Sequence, residues 1–507
     1  MNRYDKGGSG MKNFISFIKK YSTRDFIDLF SNKSIEIFKN QLRYNEKDMN
    51  CCMKFPLNII KSGFIHKQVN VMLSAWDIQD MAYLSIRNAN DYRSGDLLAQ
   101  DIGTIVNLYR GYENEHSKSE YLKDGDLADI FKFMMGMTYE QFKYQNLAWT
   151  IQNFCRNYHI LIGSPNINRE KIIDINQITD EIFGLNVDEL LAVEIMILWL
   201  CSQNPSPLTA PEKLYNRSET SVITKETIET VVGYYSVTYK DVRNSSIGKQ
   251  IFYSKPFVKT DKTQESIMVS FYLLAMTFAD GLYWLMRDYY RNNNCGQKFI
   301  NAFGEMFEEY FEELADTYLD EKQWFKIPVQ KKKSADYYVE FDNAILLFEL
   351  KSGLLGIGAK QQMPDIQQID TFYKRNILEA YEQLKNSEKE FQGEKQILKI
   401  FLLYESATNM QIIMASIPDI FINDKGCYIM TIEDLEMLLA TYRNDREKFN
   451  KVIYTLLNNE NSEGRCESVL KVLGDYDAIG DMHFIGERDY YTNILERFKN
   501  CFRQVGS

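Results

Sequence analysis

Apolar and polar residues follow two different periods along the chain. From residue 11 to about 228, apolar residues recur at spacings of three and four, which predicts helices. The segments with this pattern are Phe14–Phe38, Val69–Ile86, Leu97–Tyr109, Leu127–Phe154 and Val187–Leu200. Between residues 334 and 351 the period changes to two, which predicts strands. The pattern therefore predicts a large, mainly α-helical N-terminal region followed by an α/β region, an α+β or α/β protein overall.

Turn-forming residues suggest where these regions divide. The proline-rich stretch Asn204–Pro211 predicts a surface connection over residues 203–225 and a subdomain break there. The cluster Asn292–Gly296 is a natural helix stop. We therefore expect a flexible start over residues 1–10, a helical sensing or interaction region over 11–295, and a second domain over 296–507.

The stretch Ser334–Lys351 predicts a β-hairpin. Asp342 and Asn343 tolerate the positive φ values that a two-residue hairpin loop demands, and this loop would set Asp336 opposite Glu349. Because residues two apart share a face, Asp336, Glu349 and Lys351 should project from one side and the apolar residues from the other. We expect one face to be a core and the other to hold two carboxylates and an ammonium.

Opposed carboxylates repel each other, and a divalent cation would convert that repulsion into a ligand set. Oxygen ligands favour Mg²⁺ or Mn²⁺, so Asp336 and Glu349 are the candidate metal ligands. Lys351, two residues further along the same face, could activate water or stabilise charge on a phosphate. Asp342 is the nearest alternative aspartate, but the register places it in the turn.

Asp336 followed by Glu349-Leu350-Lys351 resembles the PD-(D/E)xK motif of the restriction-endonuclease-like nucleases, with Ala335 where that motif often has proline. Members commonly have a preceding helix with a glycine and a Phe-Glu pair. Gly304 and Phe307-Glu308 in the amphipathic helix Phe299–Leu319 match this pattern. The helical period places Glu308 at the rim of the buried stripe and Glu305, Glu309 and Glu312 towards water, and the resemblance implies that Glu308 is an accessory acid. Glu313, on the opposite rim, is its rival.

The order of elements downstream also resembles this superfamily. A glycine-rich loop at 352–366 precedes a helix over about Ile369–Phe391, where the resemblance makes Gln383 the candidate that orients the site. An apolar strand, Gln396–Tyr404, follows. A second strand, Cys427–Met430, then leads into a helix capped by Thr431. The resemblance implies a restriction-endonuclease-like core with a mixed central sheet.

Charge is distributed unequally between the two regions. Residues 296–507 carry 25 Lys and Arg against 36 Asp and Glu, whereas residues 1–295 carry 34 of each. Because phosphate neutralisation supplies most nonspecific affinity for nucleic acid, an acidic catalytic region needs another source of grip. A local phosphate clamp could be formed by Lys331, Lys332 and Lys333, although the same run also fits a solvated turn. Alternatively, a protein partner, an oligomer or the helical region provides the affinity for nucleic acid.

The remaining features limit the function classes. No apolar run approaches the length of a membrane span, and the eight scattered cysteines, without a secretion signal, predict a cytoplasmic protein. The resemblance implies a Mg²⁺- or Mn²⁺-dependent nuclease, with DNA as the first substrate, RNA as the alternative and anti-phage defence as one setting. A different interpretation is a catalytically silent module that serves as a binding platform in a larger complex; the acidic balance favours it and the intact Asp, Glu and Lys set opposes it.

Overall fold

A computed structural model describes residues 9–43, 51–61, 64–120, 147–163, 173–211, 222–328, 333–353, 371–372, 374–391, 393–404, 414, 417–421, 423–424, 426–458 and 468–478. Over these residues the protein mixes α-helices with sheets, as the sequence predicted. The glycine-rich loop beyond Gly353, together with Lys331 and Lys332, lies outside the described residues.

Helices dominate the described part of the N-terminal region, as predicted, and residues 127–146 of the predicted helix Leu127–Phe154 lie outside it. The helices are α1 (Ser9–Ile18), α2 (Thr23–Arg43), α3 (Asp77–Asn88), α4 (Ile102–Glu120), α5 (Leu147–Tyr158), α6 (Ile175–Phe183), α7 (Val187–Cys201), α8 (Lys225–Tyr234), α9 (Tyr239–Asn244), α10 (Phe271–Ala279) and α11 (Gly281–Asn292). The helix stop predicted at Asn292–Gly296 is confirmed, because α11 ends at Asn292 and the next helix begins at Gly296.

The N-terminal region also contains strands that the periodicity did not predict. Two long antiparallel strands, β1 (Cys52–Lys61) and β2 (Phe64–Ser74), form a separate ribbon. A small sheet is built from β3 (Ser236–Thr238), β4 (Phe257–Lys259) and β5 (Ser266–Met268). The predicted helix Val69–Ile86 is therefore wrong in its first part. Its residues up to Ser74 belong to β2, and α3 begins only at Asp77.

The C-terminal region contains a mixed sheet flanked by helices. Its strands are β6 (Trp324–Lys326), β7 (Tyr337–Glu340), β8 (Ala344–Lys351), β9 (Gln396–Leu403) and β10 (Cys427–Thr431), and its helices are α12 (Gly296–Tyr318), α13 (Glu379–Glu388), α14 (Pro418–Phe421), α15 (Ile432–Asn444), α16 (Arg446–Leu457) and α17 (Val469–Asp475). Among the described residues the strand order is β10-β9-β8-β7-β6. The β8–β9 and β9–β10 pairs are parallel, and the other two pairs are antiparallel.

Several local predictions for this region are confirmed. The amphipathic helix is α12, and its predicted apolar stripe from Phe303 to Tyr318 is buried as far as Leu314, whereas Tyr318 is half-buried. Thr431 ends β10 and caps α15, with its hydroxyl accepting the amide N–H of Asp434 at 3.1 Å. A side-chain oxygen at this position stabilises a helix start because the first-turn amides have no partner within the helix.

Helices cover both faces of the mixed sheet, which corrects one expectation. On one face Phe348 and Tyr337 pack against Phe311 of α12. On the other face, which carries Glu349, Leu347 is fully buried and Ile345 nearly so. The charged face of the hairpin is therefore mostly a second core, and Glu349 lies at the end of an apolar strand.

Apolar packing crosses residue 295. One continuous hydrophobic cluster joins residues of α5, α7, α8, α10 and α11 to those of the mixed sheet and its helices. A second cluster contains α1 to α4 and the small three-stranded sheet. The domain limits expected from the sequence stay a prediction, but the later N-terminal helices share their core with the C-terminal region.

A buried ion-pair cluster reinforces this contact. The guanidinium of Arg156 on α5 binds both carboxylate oxygens of Glu436 on α15 at 2.8 Å and Glu433 at 3.3 Å. The Tyr310 hydroxyl donates to Glu436 from α12 at 2.5 Å.

No described helix has both the length and the apolar composition needed to cross a membrane.

Candidate functional site

The predicted hairpin is confirmed in its register. Tyr337 pairs with Phe348 and Glu340 with Ile345, and the amide of Phe341 donates to the Ala344 carbonyl at 2.8 Å. The loop is therefore Asp342-Asn343, which places Asp342 in the turn, as expected. Neither of these two residues has a positive φ, so the conformational reason given for the loop was wrong although its position was right.

The ladder ends before it reaches the candidate carboxylates. The regular β7–β8 pairing begins at Tyr337, so Asp336 and Ser334 do not form ladder pairs with Glu349 and Lys351. The Asp336 amide donates to the Phe348 carbonyl at 3.0 Å, and its carboxylate accepts the Leu350 amide at 2.7 Å. The aspartate side chain thus takes the place of a backbone partner and is fixed against the end of β8.

Glu349 is the most unusual group of this site. The residue is 2% exposed, and its Oε2 has no hydrogen-bond partner among the described residues. Burial raises its pKa to about 7, and the nearby Asp336 charge adds to that rise, although Lys351 and Gln383 favour the ionised form. An unsatisfied buried carboxylate oxygen is costly, so its presence requires an explanation.

The pKa of Asp336 is raised by causes similar to those that act on Glu349. Burial raises the pKa of Asp336, and Glu308 raises it further. The Leu350 amide, Lys351 and Lys326 act in the opposite direction. The structure therefore brings Asp336 and Glu349 close enough for their charges to interact, as the hairpin register predicted.

Lys351 lies beside Glu349 and reaches the surface. Its ammonium is 2.6 Å from Glu349 Oε1, while 22% of its side chain remains exposed. This arrangement places a positive charge on one oxygen of the buried carboxylate, on a side chain that is partly open to solvent.

Glu308 is positioned by a residue that the sequence analysis missed. Lys326 on the edge strand β6 holds Glu308 at 2.9 Å and also contacts Glu312 at 3.4 Å. The short strand β6 gave only a weak sequence signal, because three residues are too few to show a period. A Cβ at Gly304 would lie 3.6 Å from Ser352 Oγ, an ordinary contact, so the space does not require glycine there.

The other glutamates of α12 differ from Glu308 in their surroundings. Glu309 is only 8% exposed, so the expectation that it faces water was wrong. The rival acid Glu313 accepts or shares a hydrogen bond with His159 Nε2 at 2.7 Å, on the side of the N-terminal helices. Glu308 is therefore the glutamate of this helix whose charge acts on Asp336.

Helix α13 closes the site from the other side. Gln383 donates to the Ser334 carbonyl at 3.2 Å and also interacts with Glu349. Ser387, which the sequence analysis did not single out, accepts the Ala335 amide at 2.8 Å. Lys333 is exposed, and its carbonyl accepts from Asn386. These bonds fix the chain that leads into Asp336.

The donor set suits a hard divalent cation. Two carboxylates with raised pKa values, one with a buried oxygen that has no partner in the described part of the chain, are groups that Mg²⁺ or Mn²⁺ would stabilise in the ionised form. Within the described residues no group of three or more His, Cys, Asp and Glu side chains has the arrangement of a metal site. Water and substrate oxygens would therefore have to supply the remaining ligands, as is common for Mg²⁺.

Comparison with known proteins provides no independent assignment. No protein-family model, curated protein sequence or solved structure matches this chain. The functional argument therefore depends on the residues and geometry of the site.

Proposed function

We propose that this protein is a metal-dependent nuclease that hydrolyses phosphodiester bonds. The observation that carries the proposal is the buried Glu349, whose Oε2 has no hydrogen-bond partner among the described residues while Lys351 contacts its Oε1 and the Asp336 charge acts on it. A protein that needed this region only for packing would gain from an apolar residue there. The local resemblance to the PD-(D/E)xK motif supports the same reaction class.

Each site residue has a distinct part in the proposal. Asp336 and Glu349 would hold Mg²⁺ or Mn²⁺, which when bound supplies Lewis-acid stabilisation of a phosphate and of a hydroxide nucleophile. Lys351 donates hydrogen bonds to a phosphate oxygen or to the attacking water, because its ammonium is oriented by Glu349 and its side chain is 22% exposed. Gln383 is a positioning residue that orients Glu349, and Glu308 contributes negative charge beside Asp336.

The substrate we propose is DNA, with RNA as the alternative. The resemblance suggests anti-phage defence as one biological setting, and the large N-terminal region would then recognise a substrate, a second copy or a protein partner. The acidic balance of residues 296–507 means that the affinity for nucleic acid must come mainly from outside that region.

The second candidate function is a catalytically silent binding platform. The acidic balance favours it, and so does the ion pair of Glu308 with Lys326, which occupies a group assigned to the site. In this alternative the Glu349 carboxyl would stay protonated and structural, and substitution of Lys351 would leave partner binding unchanged.

The decisive experiment is a cleavage assay on plasmid, linear duplex, single-stranded DNA and structured RNA with Mg²⁺, Mn²⁺ or EDTA. We expect metal-dependent cleavage that falls at least about 10²-fold in Asp336→Asn and Lys351→Met. Glu340→Gln and Lys395→Met are matched controls, because these residues form an exposed ion pair on the same sheet at 2.8 Å. Equal activity in site and control variants, or no metal-dependent cleavage by the wild type, would contradict the proposal.

A further inference from the structure

The ribbon β1–β2 is the most exposed regular element of the N-terminal region. In the described part of the chain it pairs with no further strand, so it forms a two-stranded sheet by itself. Ile65 is 64% exposed and Met72 is 50% exposed, and most neighbouring side chains of β2 are also exposed. A long exposed ribbon of this kind needs a function or a partner, because two strands alone bury little apolar surface.

The base of the ribbon is held firmly. Arg110 of α4 donates to the Met72 carbonyl at 3.2 Å and to the Ser74 hydroxyl at 3.2 Å, and it pairs with the buried Asp77 at 2.5 Å. A Cβ at Gly103 would lie only 2.1 Å from the Pro56 carbonyl oxygen, so α4 packs directly against β1. The ribbon is therefore a projection whose base is fixed against α4, while Ile59 and Lys67 further along the same face are exposed.

The outer face has a composition that fits a nucleic acid. The register places Lys54 beside Met72 and Asn58 beside Gln68, and the Gln68 amide donates to Asn58 at 3.0 Å. Asn70, the cross-strand neighbour of Pro56, extends the same row. Carboxamides and lysines are the side chains that contact base edges and phosphates in protein–DNA complexes.

The charge of the ribbon contrasts with that of the chain. Residues 51–74 contain Lys54, Lys61 and Lys67 and no Asp or Glu, in a protein of net charge −11. The acids at its base, Asp77 and Glu113, are both paired with Arg110. A cationic projection on an acidic protein is complementary to a polyanion, and it supplies the grip that the acidic C-terminal region lacks.

The ribbon edges argue against a second copy of this chain as the occupant. Pro56 removes a hydrogen-bond donor from β1, and the register shifts between Ile59 and Ile60. Proline, lysine and irregular register on an exposed strand are devices that prevent edge-to-edge pairing between chains. The outward carboxamides would also be left unpaired in an apolar dimer interface.

We infer that the β1–β2 ribbon is a docking element for duplex DNA and that its outer face enters the major groove. A groove about 12 Å wide accepts a two-stranded ribbon, whereas the major groove of an RNA duplex is too deep and narrow. Lys54 contacts a phosphate, and Asn58, Gln68 and Asn70 face base edges. Lys67, which pairs with Ile59, lies on the opposite face and adds to the positive charge of the ribbon. This inference deepens the proposed function and depends on it for the identity of the substrate, but DNA binding is measurable without cleavage.

The test is fluorescence anisotropy of the full chain with a labelled DNA duplex of about two helical turns, in EDTA and at several salt concentrations. We expect Lys54→Glu/Lys67→Glu to weaken binding at least tenfold and to reduce the slope of log affinity against log salt by about 1, since the lost phosphate contact of Lys54 contributes about 0.9. The matched control Lys225→Glu/Lys451→Glu changes the same charge at exposed helical positions and should leave affinity within about threefold. Because all four lysines are exposed or half-exposed at the surface, circular dichroism and thermal melting should show a folded protein in both cases.

Three results would overturn the inference: wild-type affinity in the ribbon variant, equal losses in the ribbon and control variants, or tighter binding of an RNA duplex. A wild-type dimer that dissociates in the ribbon variant without loss of DNA binding would also overturn it and assign the ribbon to self-association. Failure of the nuclease proposal is distinguishable, because it would leave ribbon-dependent DNA binding intact without metal-dependent cleavage.

Discussion

Two clusters in this protein each combine carboxylates with a cation, but they differ in how many of their polar atoms have hydrogen-bond partners. In the first, Arg156 lies between Glu433 and Glu436; in the second, Lys351 lies near Glu349 and Asp336. Burial raises the pKa of Glu433 to about 8 and that of Glu349 to about 7, so both clusters have a desolvation cost. Buried charge alone therefore does not distinguish a functional site from a structural one.

The difference lies in the remaining hydrogen-bond partners. Arg156 binds Glu436 with two parallel hydrogen bonds, and Tyr310 and Asn153 complete the cluster. Lys351 offers a single ammonium to one oxygen of Glu349, and Oε2 has no partner among the described residues. The planar guanidinium suits a closed bidentate pair, whereas the single lysine contact leaves an acceptor for another ligand. We interpret the first cluster (Arg156, Glu433 and Glu436), called the closed cluster, as a structural link between α5 and α15. We interpret the second cluster (Lys351, Glu349 and Asp336), called the open cluster, as a binding site.

The largest effect should come from breaking the closed cluster. Arg156→Leu leaves Glu436 buried without its cation and should lower the free energy of unfolding by about 3–5 kcal/mol, measured by chemical denaturation. Arg156→Leu/Glu436→Leu should recover part of that loss, because Glu433 still lacks the Arg156 cation, and the exposed Arg291→Leu should change stability by less than about 0.5 kcal/mol. A loss below 1 kcal/mol in the single variant would mean that the cluster is not a structural link.

The second largest effect should be a change of stability with pH that comes from Glu349 in the open cluster. In EDTA, the folded protein holds the Glu349 proton more tightly than the unfolded chain, because the pKa is about 7 rather than 4.5. Its contribution to stability is therefore fully present below pH 4.5 and is lost as pH rises through about 7. Relative to Glu349→Gln, the wild type should lose up to about 3 kcal/mol over this range, measured by denaturation at successive pH values. The exposed Glu340→Gln should keep the wild-type slope, and parallel curves for wild type and Glu349→Gln would refute the assignment.

A smaller effect is expected from the residue that orients Glu349. Gln383→Ala removes the carboxamide that favours the ionised form of Glu349, so the pKa of Glu349 should rise. Cleavage at neutral pH should fall about 10–100-fold and recover in part at higher pH. Asn386→Ala on the same helix, which loses only a bond to the Lys333 carbonyl, is the control and should retain its pH profile. A uniform loss without a shifted pH profile would mean that Gln383 acts only on folding.

The sequence predicted the local geometry of the hairpin because a two-residue loop and a period of two determine its register. The positive φ expected for that loop was wrong because residue type allows a conformation without requiring it. The burial of the Glu349 face could not be read from the hairpin, since it depends on α13, which packs there from about 30 residues further along the chain.

The contacts that decide the roles of Glu308 and Glu313 could not be predicted from the sequence either. Glu313 is held by His159, which is 154 positions away in the sequence, and Lys326 lies on a strand of only three residues. The ribbon was missed because the apolar residues of Val69–Ile86 fit a helical period across a strand end, a turn and a helix start. Short apolar runs are ambiguous in this way, and only the partner strand resolves them.

The most direct test of the account is whether Glu349 Oε2 marks a cation site. Isothermal titration calorimetry with Mn²⁺ on the metal-free full-length protein should detect one site per chain, weakened at least tenfold in Glu349→Gln and Asp336→Asn and unchanged in Glu340→Gln. That result would establish that the open cluster holds a metal and the closed cluster does not. Absence of Mn²⁺ binding, or equal binding by the wild type and both site variants, would contradict the central claim and favour the silent platform.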